Sequence, residues 1–503
     1  MKIFSAAQIR RWDQFTIENE PVTSAELMER AAGAAANWIQ RHFKTTQPVF
    51  LFCGAGNNGG DGFVIARILY QFGFDVIVFI KNPDQEFSAD AARNFDLVKN
   101  ISGIEISSFA DFKAEQIPGN AIVVEALFGT GLNKPVHGAE EELIKKLNKT
   151  DSVKIAIDIP GGLFADGNVD RQSVVFEADY TLSFQTWKKS FLHPETGTYC
   201  GRVEILDIGL SPEFSDFEKS SELVITDATV KAIYRRRNPF SHKGNHGKVC
   251  IVGGSYGMAG AAVLAAKASA RTGSGITMVQ SAECNRIILQ VACPEAIFVS
   301  GGGETVTEIM ENPQMVFAIG PGLGTSEETA KALSNFLENR NSPVILDADA
   351  LNILSRNPEM INVLPENSVI TPHPKEFERL FGKSSDSYLS SELAKEKAAQ
   401  HGIFIILKGH HTQIFTPERK VWYNITGNAG MAKGGFGDVL TGIIASLIAQ
   451  DYPVLGACIF GVWLHGKAGD LAAEQQMSEQ SLLPQDLTEK IGKAFSFLHR
   501  SDF

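Results

Sequence analysis

The chain has 503 residues, 44% of them hydrophobic and 21% charged, and a formal net charge of -12 at pH 7. This length predicts a globular protein of two or more domains, the negative charge disfavours a nucleic-acid partner, and no run approaches the roughly 18 apolar residues of a membrane-spanning helix. With six cysteines that form no CxxC pair and no signal-like apolar segment at the N-terminus, we expect a cytoplasmic location.

Apolar segments alternate with candidate helices from residue 48 onward. Such alternation predicts a parallel sheet that is covered by helices on both faces. The predicted strands are 48–53, 75–80, 121–127, 153–158, 180–184 and 202–207, and a helix is predicted over 62–72. Residues 211–222 are polar and without periodicity, so we place a domain boundary there and predict domains over 1–215 and 222–503.

The second half restarts the same alternation. Strands are predicted over 248–254, 316–320, 344–348 and 404–408, with an alanine-rich helix over 260–272. Each of these strands has a glycine, an aspartate or a lysine as its last or next-to-last residue. Because ligands of open α/β sheets bind outside the carboxyl ends of the strands, these ends are expected to carry the chemistry.

The densest motif of the first half is Gly-Ala-Gly-Asn-Asn-Gly-Gly-Asp-Gly at 54–62, between a strand and a helix. Its glycines allow backbone N–H groups to turn toward an anion, and its amide and carbonyl oxygens suit a hard cation. A second glycine turn at 129–135 and two strand-end carboxylates, Glu125 and Asp158, accompany it. The alternatives are a tight turn without a ligand and, for Asp158, helix capping or turn chemistry.

With these motifs, residues 1 to about 210 resemble the YjeF N-terminal family, the NAD(P)H-hydrate epimerases. The resemblance implies a Rossmann-like three-layer α/β fold, a K⁺ ion and epimerisation at C6 of the hydrated nicotinamide ring. It implies that Asp158 binds the hydrate and shuttles protons. The implied substrate-binding residues are Asn57, Asn58, Gly59, Gly60, Asp61, Gly129, Thr130, Gly131, Leu132, Asn133, Lys134, Pro135 and Asp158, and the implied K⁺ positions are Asn58, Glu125 and Gly161.

Two of these positions depart from the family pattern. The family usually has aspartate where Glu125 stands and serine where Gly161 stands. A longer carboxylate still reaches an ion, and the carbonyl of Gly161 still offers an oxygen ligand, but the serine hydroxyl is lost.

The second half carries several motifs at predicted strand ends. His373 lies between two prolines, which restrict its backbone. Lys408-Gly409-His410-His411-Thr412 follows a strand and suits nucleotide phosphates, with an ordinary β-turn as the alternative. Gly434-Gly435-Phe436-Gly437-Asp438 opens an apolar helix over 439–449, whose first N–H groups form an anion site. Asp438 suits a general base beside a phosphoryl group, and a plain N-cap is the alternative.

Together with the turns at 242–248 and 320–324, these motifs resemble the YjeF C-terminal family, the ADP- or ATP-dependent NAD(P)H-hydrate dehydratases, over about 225–500. The resemblance implies a ribokinase-like α/β domain in which the nucleotide phosphorylates the C6 hydroxyl, so that phosphate replaces hydroxide as the leaving group. The implied hydrate-contacting residues are Ala261, Gly324, His373 and Asp438, and the implied nucleotide-binding residues are Lys408, Gly409, His410, His411, Thr412 and Gly437. Mg²⁺ is the expected companion of the nucleotide.

Phe436 departs from this second pattern, because the family usually has serine or threonine there. Two other functions stay open: a small-molecule kinase on the same scaffold, and a binding or scaffold protein whose first domain has lost its activity. The expected partners are the hydrates NADHX and NADPHX, ADP or ATP, and further copies of the chain in a homo-oligomer.

Overall fold

A computed structural model describes residues 1–170, 172–476 and 478–499. Its internal contacts separate into two compact units, one formed by Lys2–Ser220 and one formed by the chain from Ser221 onward together with Met1. The last residues of the predicted second domain, 500–503, lie outside the described residues. None of the helices in the described ranges is long and apolar enough to cross a membrane.

The described residues of the Lys2–Ser220 unit form seven strands and seven α-helices. The strands are β1 (Val49–Cys53), β2 (Val76–Ile80), β3 (Glu105–Ser108), β4 (Ile122–Ala126), β5 (Val153–Ile157), β6 (Tyr180–Phe184) and β7 (Arg202–Leu206). The helices are α1 (Ala6–Asn19), α2 (Ser24–His42), α3 (Asn57–Gln71), α4 (Ala89–Lys99), α5 (Ala139–Leu147), α6 (Pro194–Gly197) and α7 (Pro212–Phe217). Residues 211–222, where the sequence predicts a polar domain boundary, thus contain α7, and Phe214 of this helix is buried against α1.

These strands form one sheet in the order β3-β2-β1-β4-β5-β6-β7, and all neighbouring pairs are parallel. Alternate residues of β1 enter different cores: Leu51 packs with the α2 and α3 side, and Phe52 packs with the α5 side. This is the predicted three-layer arrangement. The strand order reverses between β1 and β4, so the segments that follow these two strands diverge and open a crevice at the carboxyl edge.

Helix α3 begins at Asn57, five residues before the predicted start, so the motif from Asn57 to Asp61 is helical rather than a loop. The glycines suggested a loop because glycine is a poor helix former. In the structure they allow close packing instead. A Cβ on Gly59 would lie 1.9 Å from the carbonyl oxygen of Gly54, and one on Gly60 would lie 2.8 Å from Met28.

In the second unit, ten strands and ten α-helices lie within the described ranges. The strands are β8 (Glu222–Ile225), β9 (Lys248–Val252), β10 (Ile276–Ser281), β11 (Ile297–Ser300), β12 (Val316–Ile319), β13 (Val344–Leu346), β14 (Val369–Ile370), β15 (Phe404–Leu407), β16 (Gln413–Phe415) and β17 (Val421–Asn424). The helices are α8 (Asp227–Ile233), α9 (Ala259–Thr272), α10 (Arg286–Ala292), α11 (Glu327–Asn339), α12 (Asp349–Arg356), α13 (Pro374–Phe381), α14 (Ser387–His401), α15 (Phe436–Ala449), α16 (Val454–Gln476) and α17 (Pro484–His499).

The ten strands form one sheet in the order β11-β10-β9-β12-β13-β14-β15-β16-β17-β8. Among the strand pairs in the described part of this unit, only β15–β16 and β16–β17 are antiparallel. The predicted two-domain α/β fold is therefore confirmed. Helix α15 begins at Phe436, three residues before the predicted start, and the Phe436 side chain is 3% exposed in the core beneath the helix.

Candidate active sites

The Lys2–Ser220 unit has a cavity of about 390 Å³ beside its crevice. The start of α3, the turn after β4, the end of β5 and one side of α1 all contribute to its wall. The predicted site residues that line it are Asn57, Asn58, Asp61, Gly129, Thr130, Gly131 and Asp158. The fold thus brings three separate sequence motifs to one place.

Asp158 immediately follows β5 and has a positive φ of 67°, a conformation that non-glycine residues rarely adopt. Its Oδ1 accepts hydrogen bonds from Lys188 Nζ at 2.6 Å and from the N–H of Phe184 at 3.2 Å. Lys188 is 1% exposed and also donates to Ser183 Oγ at 2.6 Å. Asp158 is therefore the carboxylate of a buried ion pair and not a helix cap. Sequence analysis missed Lys188, which stands there as one of two adjacent lysines.

Two more carboxyl groups line the same cavity. Burial, together with the charges of Asp158, Asp13 and Asp90, raises the pKa of Asp61 well above its usual range. Burial and the charge of Asp158 raise the pKa of Asp13 to about 7, against an opposing effect of Lys188. Asp13 belongs to α1 and was not among the predicted site residues.

The three residues predicted to hold K⁺ lie around the end of β4. Glu125 is fully buried, and its two carboxylate oxygens accept the N–H groups of Leu127 at 2.7 Å and Gly161 at 2.8 Å. Burial raises the pKa of Glu125 to about 7, although these two N–H groups favour the ionised form. Asn58 donates to the carbonyl of Ile157 at 2.9 Å, and its buried Oδ1 has no hydrogen-bond partner among the described residues. A buried carboxylate and an unpartnered amide oxygen fit a cation.

The remaining predicted residues of this unit lie elsewhere. Gly59 and Gly60 are buried within α3, where they permit its close packing. Leu132 packs against the core on the α5 side, and Asn133, Lys134 and Pro135 are exposed. None of these six belongs to the described lining of the cavity, so their assignment to the substrate stays a prediction.

The second unit has a cavity of about 780 Å³ at the carboxyl ends of β14 and β15 and the N-terminus of α15. The predicted residues that line it are His373, Lys408, Gly409, His410, Thr412, Gly437 and Asp438. Most of the predicted nucleotide positions and the predicted base therefore share one cavity.

A buried ion pair lies in the wall of this cavity. Asp347, which is 1% exposed, accepts hydrogen bonds from Lys408 Nζ at 2.8 Å and from Thr441 Oγ1 at 2.9 Å. A Cβ on Gly437 would lie 3.2 Å from Lys408 Nζ, so the ammonium group lies directly against the first turn of α15. The lysine charge and the N–H groups of that turn together favour an anion. The sequence predicted chemistry at the end of the strand over 344–348, but Asp347 was not among the predicted site residues.

Asp438 is the third residue of α15. Burial and the neighbouring carboxylates, Asp347 first among them, raise its pKa to about 7. A carboxylate with such a pKa accepts a proton readily at neutral pH. Gly435, and not Asp438, is the N-cap of the helix.

His373 caps α13, because its Nδ1 accepts the N–H groups of Lys375 at 3.1 Å and Glu376 at 3.3 Å. Burial lowers the pKa of His373, which favours the neutral ring. The structural role and the place in the cavity wall therefore coexist in this residue.

Ala261, Gly324 and His411 do not belong to the described lining of this cavity. The N–H of Gly324 donates to Asp349 Oδ2 at 2.9 Å, just beyond β13. Phe436 stands where the family usually has a hydroxyl residue, and its ring packs in the core, so at this position it is the backbone that faces the helix start.

Two family models match the chain in the order of its units. Residues 24–190 match the YjeF-related protein N-terminus, and residues 249–493 match NAD(P)H-hydrate dehydratase. A crystal structure of the ADP/ATP-dependent NAD(P)H-hydrate dehydratase from Bacillus subtilis, co-crystallised with ATP/Mg²⁺, is similar at 31% identity and a TM-score of 0.50, covering 55% of this chain and 98% of that one.

Two relatives match nearly the whole chain. The bifunctional NAD(P)H-hydrate repair enzyme Nnr of Escherichia coli (strain K12) is 33% identical over 487 residues, covering 96% of this chain and 92% of that protein. The protein of the same name from Thermofilum pendens is 32% identical over 521 residues, covering 100% of this chain and 98% of that protein. Both family resemblances are thereby confirmed, and the chain belongs to the family of bifunctional NAD(P)H-hydrate repair enzymes.

Proposed function

We propose that the chain repairs hydrated nicotinamide dinucleotides with two activities. Residues 1–215 epimerise the R and S hydrates of NADH and NADPH, and residues 222–503 dehydrate the S hydrate at the expense of ADP or ATP. The observation that carries this proposal is the pairing of Asp438, whose pKa is raised to about 7, with Lys408 at the anion-favouring start of α15. A proton acceptor beside a phosphate-binding helix end is what phosphorylation of a hydroxyl requires.

In the dehydration, Asp438 takes the proton of the C6 hydroxyl as its oxygen attacks the terminal phosphorus of the nucleotide. The bond from phosphorus to the bridging oxygen breaks, and the shortened nucleotide departs. The C6–O bond then breaks with its electron pair on phosphate, and loss of a proton from C5 restores the ring double bond. Lys408 and the N–H groups of the first turn of α15 stabilise the charge that develops on the transferred group.

Mg²⁺ is proposed as the companion of the nucleotide, because the similar Bacillus subtilis dehydratase was crystallised with ATP/Mg²⁺. Asp347, the most buried carboxylate of this cavity, is engaged by Lys408 and Thr441. The ion would therefore be held mainly by the phosphates and water, and it would reduce the negative charge of the nucleotide.

In the epimerisation, Asp158 exchanges a proton with the substrate while Lys188 holds its carboxylate in place. Asn58, Glu125 and the carbonyl of Gly161 would hold K⁺, which would supply a positive charge for orienting substrate oxygens. The buried, unpartnered Oδ1 of Asn58 and the buried carboxylate of Glu125 support this cation position.

The decisive experiment gives the protein a mixture of R and S hydrates with ADP or ATP and follows the recovery of reduced-cofactor absorbance. Complete conversion, faster than spontaneous epimerisation, is the result expected for two active units. A plateau of the absorbance at the S fraction would contradict the epimerase activity. A lack of nucleotide-dependent recovery would contradict the dehydratase activity.

Two other functions predict different products. A small-molecule kinase would accumulate a stable phosphorylated compound instead of free phosphate and reduced cofactor. A binding or scaffold protein would leave the R hydrate unchanged. The ion pair of Asp158 with Lys188 and the unpartnered oxygen of Asn58 favour a catalytic first unit over an inactive one.

We also propose a homo-oligomer located in the cytoplasm. The support for an oligomer is the outer face of α10 and the edge strand β11 beside it. On α10, Ile287 is 74% exposed, Ile288 50% and Val291 77%, and Ile297 of β11 is 50% exposed. A cluster of exposed aliphatic side chains at a sheet edge is typical of a protein interface.

A further inference from the structure

Three carboxyl groups line the cavity of the Lys2–Ser220 unit, and the mechanism above uses only that of Asp158. Asp158 is held by Lys188 at 2.6 Å. Among the described residues, Asp13 and Asp61 have no hydrogen-bond or ion-pair partner. Carboxyl groups that are largely withdrawn from water without a partner cost stability, so a catalytic use is the natural explanation.

Helix α1 holds Asp13 at the cavity through its two neighbours on the helix. Trp12 is buried, and its Nε1 donates to the carbonyl of Ser211 at 2.7 Å. Thr16 Oγ1 accepts the N–H of the same serine at 3.0 Å. The ring of Trp12 also stacks on Phe214 of α7 at 5.8 Å between centroids. These contacts fix the rotation of the helix, so the position of Asp13 in the cavity wall is built into the fold.

The charged groups around Asp13 come from several elements. Asp158 and Lys188 lie at the ends of β5 and β6, Asp61 lies on α3, and Arg10 lies one turn earlier on α1. Burial and Asp158 raise the pKa of Asp13 to about 7. At neutral pH Asp13 therefore carries its proton in a large fraction of molecules, whereas Asp158 is the carboxylate of an ion pair.

We propose that Asp13 is a second acid–base residue of the epimerisation and works with Asp158 from another wall of the cavity. The proposal rests on the epimerase function proposed above. Asp13 comes from α1 and Asp158 from the sheet edge, and both line the same cavity. In this proposal the nicotinamide ring binds between them, with one carboxyl group toward each face.

The chemistry balances with one proton donor and one acceptor. The Asp13 carboxyl protonates the C6 hydroxyl, the C6–O bond breaks, and water leaves as the N1 lone pair forms a C6=N1 iminium. Water then adds to the opposite face, its electrons form the new C6–O bond, the C=N pair returns to N1, and Asp158 takes the released proton. The inverted hydrate departs, and exchange with solvent removes the proton from Asp158 and returns one to Asp13.

The test measures conversion of pure R hydrate to S hydrate without nucleotide, followed by chromatography. We expect Asp13→Asn to slow this conversion about 100-fold or more, the usual size of a general acid's contribution. The same preparation should dehydrate S hydrate at the unaltered rate when nucleotide is added. Glu18→Gln, an exposed carboxylate on the same helix, is the matched control and should change neither rate.

The pH profile separates a catalytic role from a structural one. The rate of the unaltered protein should fall as pH rises through about 7, because Asp13 then loses its proton. Asp13→Asn should lack this fall. Asp13→Glu keeps the carboxyl group. This variant should retain measurable epimerisation, and its rate should fall with pH at a different pH value from that of the unaltered protein. It keeps the test possible if Asp13→Asn does not fold.

Three outcomes overturn the proposal. Epimerisation by Asp13→Asn within twofold of the unaltered rate, with Asp158→Asn slow, removes Asp13 and leaves the epimerase function intact. A slow Asp13→Asn that keeps the original pH profile shows that Asp13 acts only through the fold. If Asp13→Asn and Asp158→Asn both epimerise at the unaltered rate, epimerisation does not take place in this cavity, and its assignment to the cavity is wrong as well.

Discussion

At the scale of single residues, the chemistry depends on carboxyl groups whose surroundings shift their protonation. Asp438 shows this most directly, because burial and nearby carboxylates raise its pKa to about 7. A base must be ionised to accept a proton, so its active fraction increases as pH rises through that value. The same environment that makes the charge of Asp438 costly to bury suits this residue to the proposed role of base at neutral pH.

We therefore expect kcat/KM for nucleotide-dependent dehydration to rise between about pH 6 and pH 8. Asp438→Asn should lower this rate about 100-fold or more, because the amide accepts no proton. Epimerisation of the R hydrate by the same variant is the control and should be unaltered. Near-normal dehydration by Asp438→Asn would contradict the assignment.

Glu125 and Gly161 both depart from the family pattern, and the two departures compensate each other in size, because the longer carboxylate of Glu125 occupies space that a side chain at residue 161 would need. A Cβ on residue 161 would lie 2.9 Å from Glu125 Oε1, and that carboxylate is buried and held by two N–H groups. Gly161→Ser should therefore destabilise the first unit by about 1–3 kcal/mol, the usual cost of overpacking. Glu125→Asp should relieve the collision, so the double variant should be more stable than Gly161→Ser alone.

The measurement for this pair is the thermal midpoint of each variant in KCl and in NaCl. Stabilisation by K⁺ should weaken in Gly161→Ser and return in the double variant. An equal midpoint for Gly161→Ser and the unaltered protein would show that the carboxylate moves aside without cost.

At the scale of elements, Asp347 connects three pieces of the second unit. It follows β13, its carboxylate holds Lys408 at the end of β15, and it accepts a hydrogen bond from Thr441 of α15. The distance from the lysine to the first turn of α15 thus depends on a residue of a third element. Packing of strands and helix, and not the local sequence of any of them, creates the anion site.

We expect Asp347→Asn to lower the free energy of unfolding of the second unit by about 3 kcal/mol, because it leaves the partly buried Lys408 without its closest counter-charge. Chemical denaturation monitored on this unit measures the loss. Glu338→Gln on the surface of α11 is the control, and its effect should stay within about 0.5 kcal/mol. Equal losses for the two variants would argue against the ion pair.

At the scale of the whole molecule, several buried carboxyl groups act together on stability. The pKa values of Asp13, Glu125 and Asp438 are each raised to about 7, and that of Asp61 is raised well above its usual range. In an unfolded chain these groups titrate near pH 4. Between the two values the folded state binds more protons than the unfolded state, so their contribution to stability declines as pH rises.

The thermal midpoint should therefore fall between about pH 5 and pH 8 in the absence of ligands. K⁺ should reduce the fall, because a cation beside Glu125 compensates its charge. Calorimetry across this pH range, in KCl and in a buffer without K⁺, measures both effects. A thermal midpoint that rises over the same pH range would show that the pKa values of these carboxyl groups are not raised in the folded state.

Much of this protein was predictable from sequence. The two α/β units and the strands β1, β2, β4–β7, β9, β12, β13 and β15 follow from apolar periodicity, which neighbouring residues determine, whereas β3, β8, β10, β11, β14, β16 and β17 were not predicted. Helix starts were less predictable. Glycines in α3 and α15 weaken the helical signal, while the close packing that needs them is set by distant residues such as Met28.

What only the tertiary structure decided is which side chains meet. Lys188 reaches Asp158, Asp13 enters the same cavity from α1, and Asp347 holds Lys408. No local sequence pattern predicts these pairs, because each pair joins residues of different elements. The sequence by itself determined the family, the fold class and several residues that line the two cavities. The charged residues that shift the pKa values in these cavities were decided by the order of the strands in each sheet, since that order places the carboxyl ends of the strands side by side.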